Sequence, residues 1–229
     1  MKDCEAILFQ AEPVELAPDA LRRVTVNFGF LKDFSTNKLI YGISTGFGPM
    51  ARYRIGADSQ LKLQHNLIRS HSSGSGALLP PLLANAVLLA RLNSLLKGYS
   101  GIHPDTVHLL AGFLRQGVSP CIFEHGGVGA SGDLVQLAHL ALNLIGEGEV
   151  WHEGQIHPAE TVFPKLGLAP MTIHIREGLA ILNGTSAMTG VGIVNLILAH
   201  KLVTWMVVLS AMTNELMAAF DDHFSPELN

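Results

Sequence analysis

The sequence predicts an all-α protein, mainly helical with a few short strands. Long apolar segments recur along the chain, glycine or proline bounds most of them, and the longest extends from Thr185 to Phe220. Apolar residues at helical spacing, with a proline near the start or a glycine past the end, are typical of helices that pack in a folded domain.

Most of the predicted helices carry a recognisable start or stop signal. Residues 104–116 begin with a proline in the first turn and end before Gly117, the order that helices favour. The other predicted helices cover residues 58–71, 82–97, 134–145 and 175–182, and glycines follow the first three. Residues 149–157 predict a small hairpin that turns at Glu153-Gly154.

The last predicted helix, residues 185–220, is the longest. Residues 178–199 contain no Asp, Glu, Lys or Arg and are long enough to cross a bilayer. Asn183 and Asn195 interrupt this stretch and Lys201 follows it, so we favour a helix buried on all sides in a bundle of equally long helices. The chain ends soon after this helix, which suggests an interrupted domain.

Composition and charge exclude several classes of protein. The formal net charge of -4 argues against binding to nucleic acid or to an anionic membrane. Charged residues make up only 15%, against about 25% in typical proteins, so we expect a large subunit interface or a missing part of the same protein. Cys4 and Cys121 provide no disulfide framework, and the N-terminus has no long apolar core. We therefore expect a reducing, cytoplasmic location.

The segment Gly129-Ala130-Ser131-Gly132-Asp133 is the most informative stretch of the chain. In a tight turn, the Gly132 nitrogen can attack the Ala130 carbonyl carbon, and loss of water closes a five-membered ring. A second dehydration turns Ser131 into a methylidene. Glycine permits the close approach of backbone groups, and serine provides the leaving hydroxyl. The product is an electrophile, which ordinary side chains do not provide.

The same residues have two other interpretations. One is a glycine-rich turn without chemical function. The other is a dinucleotide site, because Gly127, Gly129 and Gly132 satisfy the G-x-G-x-x-G pattern of an oxidoreductase. That pattern requires a βαβ unit; residues 118–123 could form its strand, but helices flank the region and Pro120 weakens the strand. A non-catalytic helical subunit is a third hypothesis for the chain as a whole.

Three further segments present polar groups together with glycines. They are Tyr41-Gly-Ile-Ser-Thr-Gly-Phe-Gly48, Ser70-His71 at the end of a predicted helix, and Asn183-Gly-Thr-Ser186 before the longest one. Each also has an ordinary structural interpretation. These are a buried loop tyrosine, a histidine that caps helix carbonyls and an N-terminal helix cap.

Together these segments resemble the aromatic amino-acid ammonia-lyase family, which includes histidine, phenylalanine and tyrosine ammonia-lyases and related aminomutases. The resemblance covers nearly the whole chain, in the expected order and spacing. Its motifs are Tyr41-Gly-Ile-Ser-Thr-Gly-Phe-Gly48, Asn66-Leu-Ile-Arg-Ser-His71, Gly129-Ala-Ser-Gly-Asp-Leu134, Leu140-Ala-Leu-Asn-Leu-Ile-Gly-Glu-Gly-Glu149 and Asn183-Gly-Thr-Ser-Ala-Met-Thr-Gly190.

The resemblance implies a role for each candidate residue. Ala130, Ser131 and Gly132 would form the 4-methylidene-imidazol-5-one (MIO) prosthetic group autocatalytically, and Tyr41 would remove the β-proton of the substrate. The other implied roles are contact with the substrate for Gly48, Ser70 and His71, and a hydrogen bond from Asn183 to the ring oxygen or the substrate carboxylate. Helix N-termini facing the ring would favour the negative charge that develops there.

The substrate cues disagree. Ser70-His71 resembles histidine lyases and some tyrosine aminomutases, whereas Ser186 stands where histidine lyases more often carry glutamine. The residues slightly favour a tyrosine-like substrate, with histidine close behind and an aminomutase as an alternative. The product of a lyase would be ammonia and a trans-α,β-unsaturated acid.

The resemblance also implies an organisation. Residues 1–183 would form the N-terminal domain that carries the prosthetic group, and residues 184–229 the first long helix of a truncated central bundle. Because family members are about twice as long, the partners would be sister chains in a tetramer or a C-terminal half. No metal is expected: His152 and His157 flank the predicted hairpin, but no further ligands stand at a recognisable spacing.

Overall fold

This computed structural model describes residues 1–227 of the chain. The described residues contain nine α-helices and five short strands, joined by loops. The helices are α1 (Lys2–Gln10), α2 (Pro18–Phe34), α3 (Ala57–His71), α4 (Pro81–Leu95), α5 (Pro104–Arg115), α6 (Leu134–Leu144), α7 (Ala159–Lys165), α8 (Glu177–Leu182) and α9 (Ser186–Leu216). The strands are β1 (Ser75–Leu78), β2 (Ser119–Pro120), β3 (Phe123–His125), β4 (Glu149–His152) and β5 (Gln155–Pro158). This architecture confirms the mainly helical class.

All six predicted helices are present, with ends shifted by up to four residues. The longest, predicted over residues 185–220, begins at Ser186 and ends at Leu216. The predicted hairpin is β4–β5, and its turn residues Glu153 and Gly154 both have the positive φ angles of a tight hairpin turn. Helices α1, α2 and α7 are present but not predicted.

The strands form two small antiparallel sheets. β1 pairs with β3, and β2, β4 and β5 form a three-stranded sheet with β4 in the centre. Pro120 lies in the edge strand β2, where a residue without an N–H group is tolerated. Because β3 pairs antiparallel with β1, the strand before the glycine-rich segment belongs to no parallel βαβ unit, so the dinucleotide hypothesis loses its structural basis.

The hydrophobic core lies among α4, α5, α6 and α8. α6 is buried along most of its length, and Leu88 and Leu92 of α4 are almost fully enclosed. The first turns of α9 pack on α4, and the contact is closest at Gly190, where a β-carbon would overlap the backbone of Ala86 and Val87. This packing brings the start of α9 beside α4 and α6.

Most of α9 lies outside this core. From Leu198 to Leu216 every residue except Asn214 is exposed, including Trp205 at 63%. The prediction of a helix buried on all sides is therefore wrong for this chain by itself, since α4 covers only the first turns. By length and composition, the 40-residue stretch Glu177–Leu216 could cross a bilayer, and 11% of its most apolar window is buried.

Candidate active site

The segment Ala130-Ser131-Gly132 lies in the curved connection between β3 and α6. Ala130 and Ser131 are exposed, whereas Gly132 is partly covered and has a φ of +85°. A β-carbon on Gly132 would overlap the carbonyl oxygen of Gly184, so no residue with a side chain fits here without movement. Glycine is required both by the backbone angle and by this contact.

Asp133 joins this segment to the start of α9. Its backbone N–H donates to the Gly184 carbonyl at 2.7 Å, and its Oδ2 accepts the Met188 N–H at 2.9 Å. The carboxylate thus caps the first turn of α9, while α6 begins at the next residue, Leu134. Two helix N-termini therefore meet beside Gly132, and their unpaired N–H groups and dipoles favour negative charge.

Arg91 holds the other side of the Gly184 turn. Its side chain is the one charged group of α4 and is only 3% exposed. Nη2 donates to the Asn183 carbonyl at 3.0 Å and to the Ala180 carbonyl. Burial lowers the pKa of Arg91 to about 10, and the nearby negative charge of Asp133 acts in the opposite direction. At neutral pH the guanidinium is a buried cation beside the Gly184 turn.

The segment Asn183–Ser186 does supply the N-cap position of α9, at Thr185, but without a side-chain cap bond. Asn183 itself directly follows α8 as its C-cap. Its side chain is exposed, and its carbonyl accepts from Arg91. A helix break between α8 and α9 therefore presents the Asn183 amide at the turn that contacts Gly132.

Tyr41 belongs to a loop that is held against α3 and α8. The buried Gln64 donates to the Gly42 carbonyl at 2.9 Å and accepts from the Leu179 N–H at 3.2 Å. The Tyr41 hydroxyl accepts from the Gly48 N–H at 3.2 Å, and its side chain is 50% exposed. The interpretation as a buried tyrosine is wrong for this chain, because half of the ring faces outward.

Ser70 and His71 end α3. His71 Nδ1 lies 3.0 Å from the Leu67 carbonyl oxygen, and Ser70 Oγ donates to the same oxygen at 3.2 Å. Because a carbonyl oxygen only accepts, His71 must carry a proton on Nδ1 for this bond, and in the neutral ring Nε2 is then an acceptor. Nδ1 therefore caps a carbonyl of α3, as the helix-capping interpretation has it. Nε2, the other ring nitrogen, takes no part in this cap.

His139 of α6 connects the Ser70-His71 segment to the glycine-rich connection. Its Nε2 accepts the Gly74 N–H at 3.0 Å, and Gly74 lies against Gly126. Burial lowers the pKa of His139, which favours the neutral acceptor form that this bond requires. Among the described side chains, no hydrogen bond links Tyr41 or His71 directly to residues 130–132.

A groove of about 450 Å³ opens beside these segments, between the glycine-rich connection and the first turns of α9. Its walls include Gly129, Asp133, Gln136, Met188 and Asn195. In residues 1–227, no three His, Cys, Asp or Glu side chains come together as metal ligands. The expectation of no metal remains a prediction.

Comparison with known proteins identifies the family. The profile of the family described as aromatic amino acid lyase matches residues 1–229. The chain is 44% identical over 217 residues to histidine ammonia-lyase of Myxococcus xanthus, covering 94% of this chain and 43% of that enzyme. It is 40% identical over 228 residues to histidine ammonia-lyase of Bacillus subtilis, covering 99% and 45%.

The chain belongs to the aromatic amino acid lyase family. Among solved structures, histidine ammonia-lyase from Trypanosoma cruzi matches 99% of this chain and 45% of its own, with 33% identity and a TM-score of 0.90. Tyrosine aminomutase from Streptomyces globisporus matches 82% and 36%, with 35% identity and a TM-score of 0.77. The chain spans less than half the length of the curated relatives above.

Sequence reasoning missed four residues that hold the segments of the candidate site together. They are Gln64, Arg91, Asp133 and His139. A signal existed for Arg91, since it is the one charged residue in an otherwise uncharged helix. Asp133 carried a misleading signal: it stands where it should cap α6, but its carboxylate caps α9 instead.

Proposed function

We propose that this chain is the N-terminal part of an ammonia-lyase that removes ammonia from an aromatic L-amino acid and leaves a trans-α,β-unsaturated acid. One observation carries the proposal: Ala130 and Ser131 are exposed at the point where α6 and α9 begin, with Gly132 against the Gly184 carbonyl. Family membership and the names of the relatives support it.

The residues of this segment fit the MIO group that the family resemblance implies. Gly132 has the positive φ and the close backbone contact that a tight turn needs, and the exposed Ser131 can release its hydroxyl to water. The first water takes the Ala130 carbonyl oxygen with the N–H hydrogens of Ser131 and Gly132. The second takes the Ser131 hydroxyl with its Cα hydrogen, so no oxidant is needed.

The ring, once formed, supplies an electrophilic methylidene carbon for the substrate amine. The chain's own groups would do the remaining work. Tyr41 is the proposed base for the β-proton, and the Gly48 N–H that donates to its oxygen would stabilise the negative charge left by deprotonation. Asn183 would hold the substrate carboxylate or the ring oxygen, and the N-termini of α6 and α9 would stabilise developing negative charge.

Histidine and tyrosine are the two substrate candidates, and we give histidine precedence. The names of the relatives favour histidine, whereas Ser186 and the similarity to tyrosine aminomutase favour tyrosine and a mutase reaction. His71 Nε2, as an acceptor, could bind the N–H of an imidazole or the hydroxyl of a phenol. Replacing Ser70-His71 by Phe-Leu would remove that acceptor.

The test of substrate preference compares the kcat/KM values for phenylalanine, histidine and tyrosine. An unpaired buried polar group costs about 1–3 kcal/mol, so the Phe-Leu variant should shift kcat/KM toward phenylalanine by about tenfold to a hundredfold over histidine and tyrosine. Unchanged ratios across the three amino acids would show that His71 does not face the substrate.

The exposed half of α9 supports the proposal about partners. Its apolar side chains would pack against sister chains in a tetramer or against a C-terminal half, in a bundle that begins near residue 184 after the domain of residues 1–183. Asn195, His200, Lys201 and Glu215 on this helix favour protein partners over lipid. A cytoplasmic location without nucleic-acid or membrane contact is part of the same proposal.

The experiment that tests the proposed function is intact mass spectrometry of the parent and of Ser131→Ala. The parent should weigh less than its sequence by two water molecules, whereas the variant cannot lose the second of them. Alanine has no hydroxyl to lose, so turnover should vanish while the circular dichroism spectrum stays the same. Activity within about tenfold of the parent would be too high for a lost electrophile and would contradict the proposal.

A further inference from the structure

Arg91 acts on the end of α8, as its contacts show. The carbonyls of Ala180 and Asn183 lie in the last turn of that helix, where no N–H of the same helix is available to them. One buried guanidinium nitrogen donates to both, and a cation at a helix C-terminus is also favoured by the helix dipole. The position of the Asn183-Gly184 turn is therefore set by a side chain of α4.

Two close backbone contacts extend from Arg91 to the reacting segment. A β-carbon on Gly184 would overlap Arg91 Nη1, so the turn lies directly on the guanidinium. The Gly184 carbonyl then accepts the Asp133 N–H at 2.7 Å, and Gly132 lies against the same oxygen. Guanidinium, turn and Gly132 are thus stacked with no space left for side chains between them.

We propose that Arg91 is a positioning residue for the maturation of Ala130-Ser131-Gly132, acting through the Gly184 turn. The inference rests on the proposed function, because it concerns the step in which the Gly132 nitrogen bonds to the Ala130 carbonyl carbon and two waters leave. Arg91 touches none of these atoms. Its effect is to hold the backbone of Gly132 in one place, and the rate of ring closure within a chain depends steeply on such placement.

Asp133 supports this assignment from the opposite side of the turn. Its carboxylate caps Met188 and also attracts the Arg91 charge. The turn therefore lies between a buried cation and a carboxylate that belong to different helices. Loss of the cation should loosen the turn without removing any atom that takes part in ring closure.

The test compares Arg91→Met and Arg91→Lys with the control Arg115→Met, all in the 229-residue chain. Arg115 Nε donates to the Val14 carbonyl at 2.7 Å, so the control also loses one arginine–carbonyl bond, but away from the site. The readout is the fraction of chains that lack two water molecules after a fixed incubation, measured by intact mass, with urea unfolding recorded for each variant.

We expect the matured fraction of Arg91→Met to fall about tenfold or more, because misplacement of reacting groups carries costs of that order. Arg91→Lys should mature at an intermediate rate, since lysine keeps the charge but lacks the Nη1 nitrogen on which the Gly184 turn lies. Arg115→Met should mature like the parent. If Arg91→Met does not fold, Arg91→Lys decides the matter against the same control.

Three outcomes would overturn the inference, and they are distinguishable. A parent that matures normally together with folded Arg91 variants that mature as fast as Arg115→Met would exclude a positioning role and leave the proposed function intact. A parent whose mass shows no loss of water would overturn the proposed function and this inference with it. Equal losses of maturation and stability in Arg91→Met and Arg115→Met would also exclude a specific role.

Discussion

The two sides of the candidate site differ in how completely this chain builds them. On the maturation side, Gly132 touches Gly184, and Gly184 in turn touches the Arg91 guanidinium. On the substrate side, Tyr41 is half exposed and the side chains of Ser70 and Asn183 are exposed as well. From this difference we infer that the proposed ring formation depends on contacts inside this chain, whereas the proposed substrate binding needs further surfaces that cover these exposed residues.

The largest expected effect is a loss of lyase activity without a loss of ring formation. The 229-residue chain expressed alone should still lose two waters, but it should show little or no lyase activity. It should be soluble only as an oligomer or in complex with a C-terminal half, because the exposed half of α9 is strongly apolar. Light scattering, intact mass and an assay for the unsaturated acid measure the three properties.

A well-behaved monomer that deaminates histidine or tyrosine at an ordinary enzymatic rate would contradict this comparison. It would mean that the substrate side is complete in this chain and that α9 needs no neighbours. Expression together with a C-terminal half is the matched control, and it should restore activity without any change in the mass of this chain.

The next prediction concerns the maturation side alone. Gly132→Ala should block ring formation and destabilise the chain, because alanine meets a positive φ and also overlaps the Gly184 carbonyl. The φ penalty is about 1–2 kcal/mol, and the overlap adds to it. Gly117→Ala is the control, because Gly117 also has a positive φ, +65°, but a β-carbon there would meet no atom within 4 Å. This variant should lose only the stability that the φ angle costs, and it should mature normally. Equal urea midpoints for the two variants would contradict the close contact.

Tyr41→Phe tests the substrate side alone. The variant should mature fully, since none of the hydrogen bonds of the described residues joins the Tyr41 hydroxyl to the Ala130–Gly132 segment, and it should lose about 10²–10⁴-fold in the rate of β-proton removal. A deuterated substrate would report on that step. A normal rate would leave Tyr41 as a loop residue, and a failure to mature would mean that the two sides of the site are not separable.

Most of the helices that were predicted carry local start or stop signals in the sequence, whereas α2 and α7, which were missed, carry residues that argue against a helix. Helices α3 to α6 carry proline or glycine at their ends, and the local signal was sufficient. α2 was missed because Val24, Thr25 and Val26 and its aromatic residues favour strands, and only Ala20, Val24 and Leu31 are buried. α7 contains Pro164, which normally argues against a helix.

The candidate site was predicted where its chemistry is local and missed where it depends on packing. Ala130-Ser131-Gly132 is recognisable from three adjacent residues. The Gly132–Gly184 contact joins segments 52 positions apart along the sequence, and no local pattern indicates which turn meets which. Asp133 is the clearest example, because it directly precedes α6 but its side chain caps α9.

The smallest expected effect lies at His139, which links the two sides through Gly74. A backbone N–H only donates, so Nε2 must be unprotonated in the folded chain, and burial keeps the pKa below its ordinary 6.5. The unfolded chain then takes up this proton more readily, so stability is fully present above pH 6.5 and falls as the pH drops through the lower folded pKa.

In His139→Gln, the amide oxygen can still accept from Gly74 and does not titrate. The parent should therefore lose more stability than this variant on acidification from about pH 8 to about pH 5, up to the roughly 0.5–1.5 kcal/mol of one hydrogen bond. His108, exposed on α5, gives the control His108→Gln, which should keep the parent's dependence. Urea unfolding across this range measures the difference, and parallel curves for parent and His139→Gln would show that the Gly74 bond does not depend on the protonation of His139.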